Sequence, residues 1–466
     1  MSQLGAAAKA RALDGKDDAV YTKLNRRLLP FLLICYTFAY LDRVNIGYAK
    51  LHMQADIPVL TEVVFGIGAG LFFLAYALLE IPSNLLMTRI GARKTITRIM
   101  ILWGITSASM LFVTNEAVFY VIRILLGIFE AGFAPGIILY LTFWYPARKM
   151  ATVLGIFMLA GPIGAILGSA GSALIIQATD GVGGMAGWQW MFLVQGLPCV
   201  LLGVGFWLFM SDRPEEANWL NVHERRVISD GLATTRLTQH TNNFLVALRH
   251  PAVYIMSIAY FGIMCGLYAI TFWLPTILLE NGVTDTFING LLTAVPYLVT
   301  IPVMILLTRS SDRRKERTWH AIIPAAIAAV GLTIAVFFAD NFIVSFSALI
   351  ITVAGAWGAY TVFWAVPTQH FGGTAAAGGI ALINTIGIVG GFVAPTLMGF
   401  VKEATGSTHA GLLTMVALLL VFVIALLILP PVMRRELRGR EQGSVNEQDS
   451  ANEQGSVNEH SAVKER

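Results

Sequence analysis

Residues 28–49 read LLPFLLICYTFAYLDRVNIGYA, an apolar run that carries one acid and one base side by side, Asp42 and Arg43. The run is long enough to cross the ~30 Å hydrocarbon core of a bilayer as a helix, which takes about 20 mostly apolar residues. A charged side chain inside a membrane is costly and usually faces a partner or a water-filled cavity. The stretch therefore predicts a membrane span that carries functional charges.

The rest of the chain repeats this apolar pattern. Of the 466 residues, 56% are hydrophobic and only 13% are charged, and the mean hydropathy is +0.69. A soluble domain could not cover that much apolar surface, so we predict an all-α membrane protein with twelve transmembrane helices. The predicted spans are 28–49, 63–87, 96–113, 118–144, 151–177, 188–210, 251–279, 287–308, 320–338, 342–367, 375–401 and 410–430.

The distribution of basic residues predicts the orientation. If residues 1–27 form a cytoplasmic tail, 28 of the 32 Lys and Arg residues lie in cytoplasmic segments, and only Lys50 and Lys402 lie on the outer side. Cytoplasmic loops of membrane proteins carry such an excess of basic residues. We expect both termini in the cytoplasm and the protein in the inner or plasma membrane, with the first helix retained as an anchor because it is too long for a cleaved signal.

The longest break between spans, residues 211–250, is predicted to be a cytoplasmic linker between two six-helix halves, residues 28–210 and 251–430. Paired halves of this kind are typical of transporters whose central site is reached from alternate sides. Residues 431–466 are of low complexity, with EQGSVNEQ followed by EQGSVNEH, and are predicted to form a disordered cytoplasmic tail.

A similar basic loop follows the second helix of each half. The first reads NLLMTRIGARK (residues 84–94) and the second ILLTRSSDRRKER (residues 305–317). We interpret these stretches as cytoplasmic gate loops, with Arg89 and Arg93 in the first half and Asp312 and Arg313 in the second.

The candidates for functional charges inside the predicted spans are Asp42, Arg43, Glu80, Arg123 and Glu130. At about 1.5 Å of rise per residue, Asp42 and Arg123 could lie at the same depth, with Glu130 near the middle of its span. We predict that Asp42 and Glu130 take up and release protons as their charged partners move. A static lattice of ion pairs is the alternative, and for Glu80 the alternative is a role in satisfying nearby backbone groups.

The face of the first span that carries Arg43 is predicted to bind the substrate. Tyr36, Tyr40 and Arg43 are spaced i, i+4, i+7 and share this face, and a guanidinium can grip a carboxylate with two parallel hydrogen bonds. An internal salt bridge between Arg43 and Asp42 is the alternative. Tyr76, one turn before Glu80, is counted with the substrate-binding residues.

The second half adds aromatic candidates. Trp357, Tyr360 and Trp364 are spaced i, i+3, i+7 and form one stripe, and we predict that this stripe and Tyr268 line a cavity. Packing or interfacial anchoring is the other role that aromatic residues play in membrane helices. The lone amide of Asn384 needs a hydrogen-bonding partner, which could be the substrate or a neighbouring helix.

Several segments together resemble the major facilitator superfamily, and within it the anion:cation symporter family, which includes tartrate, phthalate, 4-hydroxyphenylacetate, galactonate and rhamnonate transporters. The segments are YLDRVNIGYA from residue 40, EIPSNLLMTRIGARK from residue 80, RILLGIFEAGFAPGIILYLTFWYPAR from residue 123, GWQWMFLVQGLP from residue 187 and FWAVPTQ from residue 363. The resemblance covers about residues 28–430.

The resemblance implies a fold of two halves that rock about a central cavity and move a proton together with an organic anion. It implies that Asp42 and Glu130 are the protonatable carboxylates and that Arg43 binds the substrate carboxylate. It further implies that Arg123 exchanges salt-bridge partners during gating and that Asn384 contacts the substrate. The first gate loop departs from the family pattern, because Asn84 and Thr88 stand where Gly and Asp are usual.

These observations predict a proton-coupled symporter of a small organic carboxylate, which works as a monomer, is surrounded by lipid and uses no cofactor beyond protons. An exchanger of the same fold, or a sensor without net flux, remains open. A polytopic membrane enzyme is the other class considered, but no nucleophile motif, metal-ligand cluster or phosphate-binding loop is present in the sequence. No nucleic-acid partner is expected.

Overall fold

The computed structural model describes residues 2–237, 250–370 and 373–432, and within them it contains twelve helices long and apolar enough to cross a membrane. This confirms the predicted all-α fold with twelve spans. The helices are α1 (Asp18–Asp56), α2 (Glu62–Ile90), α3 (Ala92–Phe112), α4 (Glu116–Thr142), α5 (Thr152–Thr179), α6 (Gly187–Phe209), α7 (Pro251–Glu280), α8 (Thr286–Arg314), α9 (Thr318–Phe337), α10 (Phe342–Pro367), α11 (Leu382–Thr405) and α12 (Thr408–Val432).

The helical ends differ from the predicted bounds where polar residues continue a helix. The helix that contains α1 extends back to Ser2, through most of the predicted N-terminal tail. A separate linker helix, Val222–Leu237, lies in the predicted 211–250 segment. The predicted C-terminal tail lies, from residue 433 on, outside the described residues.

Helix α4 is broken immediately after a charged residue. Its first part ends at Glu130, and its second part runs from Phe133 to Thr142. Gly132 lies between them with a φ of 84°, a left-handed conformation that favours glycine. A Cβ atom there would also lie 2.6 Å from the Ser83 hydroxyl oxygen. The break therefore places Glu130 at the end of a helical segment, in the middle of the bundle.

The helices pack as two groups with a defined seam between them. In the first group α3 packs on α6, α1 on α5 and α2 on α4; in the second, α10 packs on both α8 and α9, and α7 packs on α11. Contacts between the groups are made by α2 with α11, α5 with α8, and α1 with α7. A site on α1 or α7 at this seam thus lies between the two groups.

The bundle has two distinguishable ends. At the end where α1 begins, here called the terminal end, Lys23 forms a 2.8 Å ion pair with Glu224 of the linker helix, and Trp144 stacks on Trp219. Hydrogen bonds from Lys23 lower the pKa of the Glu224 carboxyl. The opposite end, where α1 and α7 finish, is called the far end.

Candidate functional site

Arg43 is the centre of a buried polar site at the seam. Its Nη2 forms an ion pair with Oε1 of Glu130, and its Nη1 donates a hydrogen bond of 3.2 Å to the Tyr268 hydroxyl on α7. The side chains of Arg43 and Glu130 are only 9% and 2% exposed. Arg43 thus pairs with Glu130 of α4, and not with its sequence neighbour Asp42, among the contacts that the described residues make.

Aromatic rings surround the guanidinium on the side of α2. Its Cζ lies 5.4 Å from the ring centroid of Phe72 and 5.6 Å from that of Tyr76. A guanidinium in such positions is attracted by the electron-rich ring faces. The structure therefore places Tyr76 beside Arg43. That Tyr76 contacts the substrate stays a prediction.

A small cavity lies against Arg43 between the two groups of helices. It is about 30 Å³ in volume, room for a water molecule or two, which means that the halves are nearly closed around it. Its walls combine predicted residues with apolar ones from α5 and α7. They are Tyr36, Tyr40, Arg43, Met158, Gly161, Met264, Leu267, Tyr268, Trp357 and Tyr360.

Two donors on these walls have no acceptor among the described residues. They are Nε of Arg43 and Nε1 of Trp357, both buried. Buried donors are nearly always hydrogen-bonded in folded proteins, because leaving one unpaired is costly. Both groups would be satisfied by oxygen atoms of a ligand in the cavity.

The remaining aromatic candidate lies away from the cavity wall. Trp364 packs edge-on against Tyr260, with ring centroids 4.8 Å apart, whereas Trp357 meets Tyr40 across the seam at 5.5 Å. The predicted stripe is therefore divided between the cavity and the packing of the second half.

Asp42 lies in a separate polar network inside the first half. Trp103 Nε1 donates to its carboxylate at 2.6 Å, Asn45 Nδ2 donates at 3.1 Å, and the Ser107 hydroxyl donates a shorter bond. The Asn45 amide also reaches Gln195 of α6 at 3.1 Å. Asp42 is thereby tied to α3 and α6, behind the cavity wall.

Arg123 contacts the backbone of α2 in this conformation. Its Nε donates to the carbonyl of Gly68 at 3.0 Å and its Nη2 to that of Ala69 at 3.1 Å. The guanidinium also lies 5.1 Å from the centroid of the Phe72 ring. The gating role predicted for Arg123 would require it to leave these carbonyl groups for a carboxylate.

Asn384 is engaged by Glu80 across the seam. The Asn384 amide donates to Oε1 of Glu80 at 2.6 Å, and Glu80 is 6% exposed. Glu80 lies one turn beyond Tyr76 towards the terminal end of α2. The pair therefore joins the two halves on the terminal side of the cavity. The sequence predicts for Glu80 a functional charge or a role in satisfying nearby backbone groups, and not this contact.

The first predicted gate loop contacts the start of the linker, and the second makes a contact within its own half. The backbone N–H of Arg93 donates to Asp212 at 2.7 Å, and Asp312 forms an ion pair with Arg317. Arg89 and Arg313 are exposed.

Sequence reasoning missed a second charged cluster at the far end. Lys50 and Lys402, counted as outer loop charges, form ion pairs with the same carboxylate, that of Glu62, at 2.6 and 2.9 Å. Lys402 also lies 3.1 Å from Glu280. The available signal was that only these two cations occur on a side otherwise free of basic residues.

Comparisons with known proteins agree with this architecture. The sequence profile of the Major Facilitator Superfamily matches residues 32–395. A protein of Agrobacterium vitis named "Putative tartrate transporter" is 42% identical over 412 residues, which are 88% of this chain and 91% of that protein. "Putative metabolite transport protein NicT" of Pseudomonas putida is 38% identical over 420 residues, or 90% and 96% of the two chains.

The solved structure of the xylose transporter XylE from E. coli, in a partially occluded inward open conformation, has the same fold. The TM-score is 0.69 at 14% sequence identity, and the match covers 86% of this chain and 98% of that one. The family and these relatives are transporters and not enzymes, in agreement with the sequence prediction. The chain, an integral multi-pass membrane protein, therefore belongs to the Major Facilitator Superfamily of transporters.

Proposed function

We propose that this transporter carries a small organic carboxylate together with protons, by alternating exposure of the Arg43 site. The observation that carries the proposal is the ion pair of Arg43 with Glu130 beside the cavity. One guanidinium then serves two carboxylates in turn, that of Glu130 when the site is empty and that of the substrate when it is filled.

The competition for Arg43 supplies a coupling mechanism. Arg43 can offer the unpaired Nε and its Nη atoms to a substrate carboxylate in a forked geometry. Glu130, displaced from Arg43 and 2% exposed, would then be an unpaired buried carboxylate, which is costly. Proton uptake by Glu130 removes that cost. The net charge of the site is the same before and after, because the substrate anion and the proton enter together.

Asp42 is proposed as a second protonation site. Its three donors match an ionised, acceptor-only carboxylate, so its protonation would require this network inside the first half to rearrange. Two protons for each monovalent anion would also use the membrane potential, which is worth about 2.3 kcal/mol per charge per 100 mV. With one proton the transport of a monovalent anion would be electrically neutral.

The cavity chemistry supports an anion with a flat or hydroxylated body. Tyr36, Tyr40, Tyr268 and Trp357 present ring faces and polar tips, and the unpaired Nε1 of Trp357 suits a substrate oxygen. The relatives' names include a tartrate transporter. Aromatic acids, tartrate and sugar acids are therefore the classes to test. Asn384 would join the site by releasing Glu80.

The positive charges at the terminal end support an orientation in the membrane. We place the terminal end in the cytoplasm and the far end outside, in the inner or plasma membrane, with the protein acting as a monomer. The cycle then takes up substrate from the far end and releases it at the terminal end.

Uptake by proteoliposomes tests the proposal. Purified protein is first screened against aromatic, tartrate-like and sugar-acid carboxylates by thermal shift, and the best ligand is used for transport under an imposed pH gradient. We expect accumulation driven by an inward proton gradient, with inward positive current if two protons accompany a monovalent anion. Counterflow without proton-driven accumulation would instead identify an exchanger, and binding of no carboxylate would refute the substrate class.

A further inference from the structure

The charged cluster at the far end is distributed over four helices and both halves. Lys50 lies near the end of α1, Glu62 at the start of α2, Glu280 at the end of α7 and Lys402 near the end of α11. Two cations and two anions make the cluster electrically neutral. The cluster thus lies where α1, α2, α7 and α11 meet at the far end.

The cluster is built around one buried charge, that of Lys50, whose partners are partly exposed: Glu62 by 21%, Lys402 by 15% and Glu280 by 33%. The Lys50 side chain is 1% exposed, and its Nζ lies 3.3 Å from the centroid of the buried Trp273 ring on α7. The Lys402 Nζ lies 5.3 Å from the same centroid. The indole therefore contacts an ammonium group from each half, and water is excluded from Lys50.

Contacts across the seam close this end. Lys402 of the second half binds Glu62 of the first, and Lys50 of the first half rests on Trp273 of the second. In addition, Glu403 Oε2 accepts a hydrogen bond of 3.0 Å from the backbone N–H of Val63, at the start of α2, a favourable place for an anion.

Each half nevertheless keeps a complete ion pair of its own. Lys50 and Glu62 both belong to the first half, and Lys402 and Glu280 both belong to the second. If the halves part along the seam, every charge retains an opposite partner. If Glu62 did not lie on the same half as Lys50, opening would leave the buried Lys50 ammonium group unpaired, which is strongly unfavourable.

We propose that Lys50, Glu62, Glu280 and Lys402 form a neutral lock that holds the far end closed and divides, on opening, into one ion pair on each half. Opening then removes only the contacts across the seam. The inference relies on the alternating exposure proposed above, but it requires neither a carboxylate substrate nor a proton.

Exchanging the two charges within one half tests the division directly. The variant Lys402→Glu/Glu280→Lys keeps an ion pair in the second half but places a carboxylate at position 402 against Glu62. The variant Lys50→Glu/Glu62→Lys keeps a pair in the first half but places an ammonium group at position 62 against Lys402. Combining both exchanges restores opposite charges across the seam, although Trp273 loses its contacts with both Lys50 and Lys402.

The readout is the distance across the far end between two spin labels in the full chain in lipid nanodiscs. Labels are attached at Val59→Cys and Ala404→Cys, both exposed and one on each half, after the buried Cys35, Cys199 and Cys265 are replaced by alanine. Either exchange alone should raise the ratio of long to short distances about tenfold or more, because like charges across an interface are strongly unfavourable. The combined exchange should reverse most of that shift.

Three results would overturn the lock. The first is unchanged distances in both single-half exchanges, and the second is a combined variant that is as open as either single-half exchange. The third is an equal opening of the far end when Lys23 and Glu224 at the terminal end are exchanged as a matched control. If an exchanged variant fails to fold, Lys402→Met serves instead and should shift the distances in the same direction by less; no shift would contradict the proposal. Because the distances are read without substrate or a pH gradient, failure of the lock is distinct from failure of the proposed symport.

Discussion

Arg43, on the wall of the central cavity, forms its ion pair with Glu130 at the point where α4 breaks. The break ends one helical segment at Glu130, and the left-handed Gly132 turns the chain before the next segment begins at Phe133. A carboxylate at the end of a helical segment can change partners with less rearrangement than one within a continuous helix. This is the geometry expected if Glu130 alternates between Arg43 and a proton.

Replacing Glu130 with glutamine should separate binding from proton coupling. The amide cannot be ionised, so Arg43 loses its internal competitor but remains available to the substrate. We expect Glu130→Gln to bind substrate at least as tightly as the wild type and to carry out counterflow, while accumulation driven by a pH gradient is abolished. Measuring both activities in the same proteoliposomes checks this. Accumulation that persists at the wild-type level would exclude Glu130 as a coupling site.

The spans and the intramembrane charges were predictable because hydrophobic length and rare charges are local features of the sequence. The partners of the charges were not. Asp42 and Arg43 are adjacent in sequence, but successive helical residues point about 100° apart, and the structure directs Asp42 to Trp103 and Arg43 to Glu130. Which of several buried carboxylates meets a guanidinium depends on the packing of α1 against α3, α4 and α7.

Burial was hardest to predict at the helix ends. Lys50 follows an apolar run and precedes a loop, so sequence alone assigns it to the outer surface. In the structure, Trp273 from α7 covers it, a contact between residues more than 200 positions apart. Long-range contacts of this kind have no signature in a single sequence. The placement of Tyr36, Tyr40 and Arg43 on one helical face does have one, which is their i, i+4, i+7 spacing.

Arg43→Lys should weaken substrate binding while it preserves the positive charge. A lysine can hold a carboxylate as a point charge but cannot form the forked pair or fill the space between Phe72 and Tyr76. One lost hydrogen bond to a charged group is worth about 1.5–3 kcal/mol, so Kd should rise about tenfold to a hundredfold. Calorimetric titration measures this. An unchanged Kd would place the carboxylate site elsewhere.

Trp357→Phe tests whether the indole N–H contacts the substrate. The substitution keeps an aromatic ring against Tyr40 but removes the buried donor that has no acceptor among the described residues. A neutral hydrogen bond is worth about 0.5–1.5 kcal/mol, so Kd should rise about twofold to tenfold. Trp219→Phe, at the terminal end, is the matched control and should leave Kd unchanged. Equal effects of both variants would indicate a general loss of stability.

Glu80→Leu should weaken the closure of the terminal end. It removes the acceptor for Asn384, the contact that joins the halves on that side of the cavity, whereas Glu80→Gln can still accept from the Asn384 amide. Spin labels at Arg89→Cys and Arg313→Cys, both exposed in the gate loops, report the separation. We expect longer distances for Glu80→Leu and near-native ones for Glu80→Gln. Identical distributions in all three proteins would show that this contact does not hold the end closed.

Gly66→Ala should open the far end without changing any charge. A Cβ atom at Gly66 would lie 2.4 Å from the carbonyl oxygen of Pro395 on α11, so α2 and α11 could no longer approach as closely. The resulting increase in the distance between the labels should add to the increase caused by the charge exchanges. The labels at Val59→Cys and Ala404→Cys should report longer distances, while Gly155→Ala, whose Cβ would meet nothing within 4 Å, should not alter them. Because the clash lies one turn from Glu62, native distances in Gly66→Ala would mean that the close contact of these helices does not define the closed state.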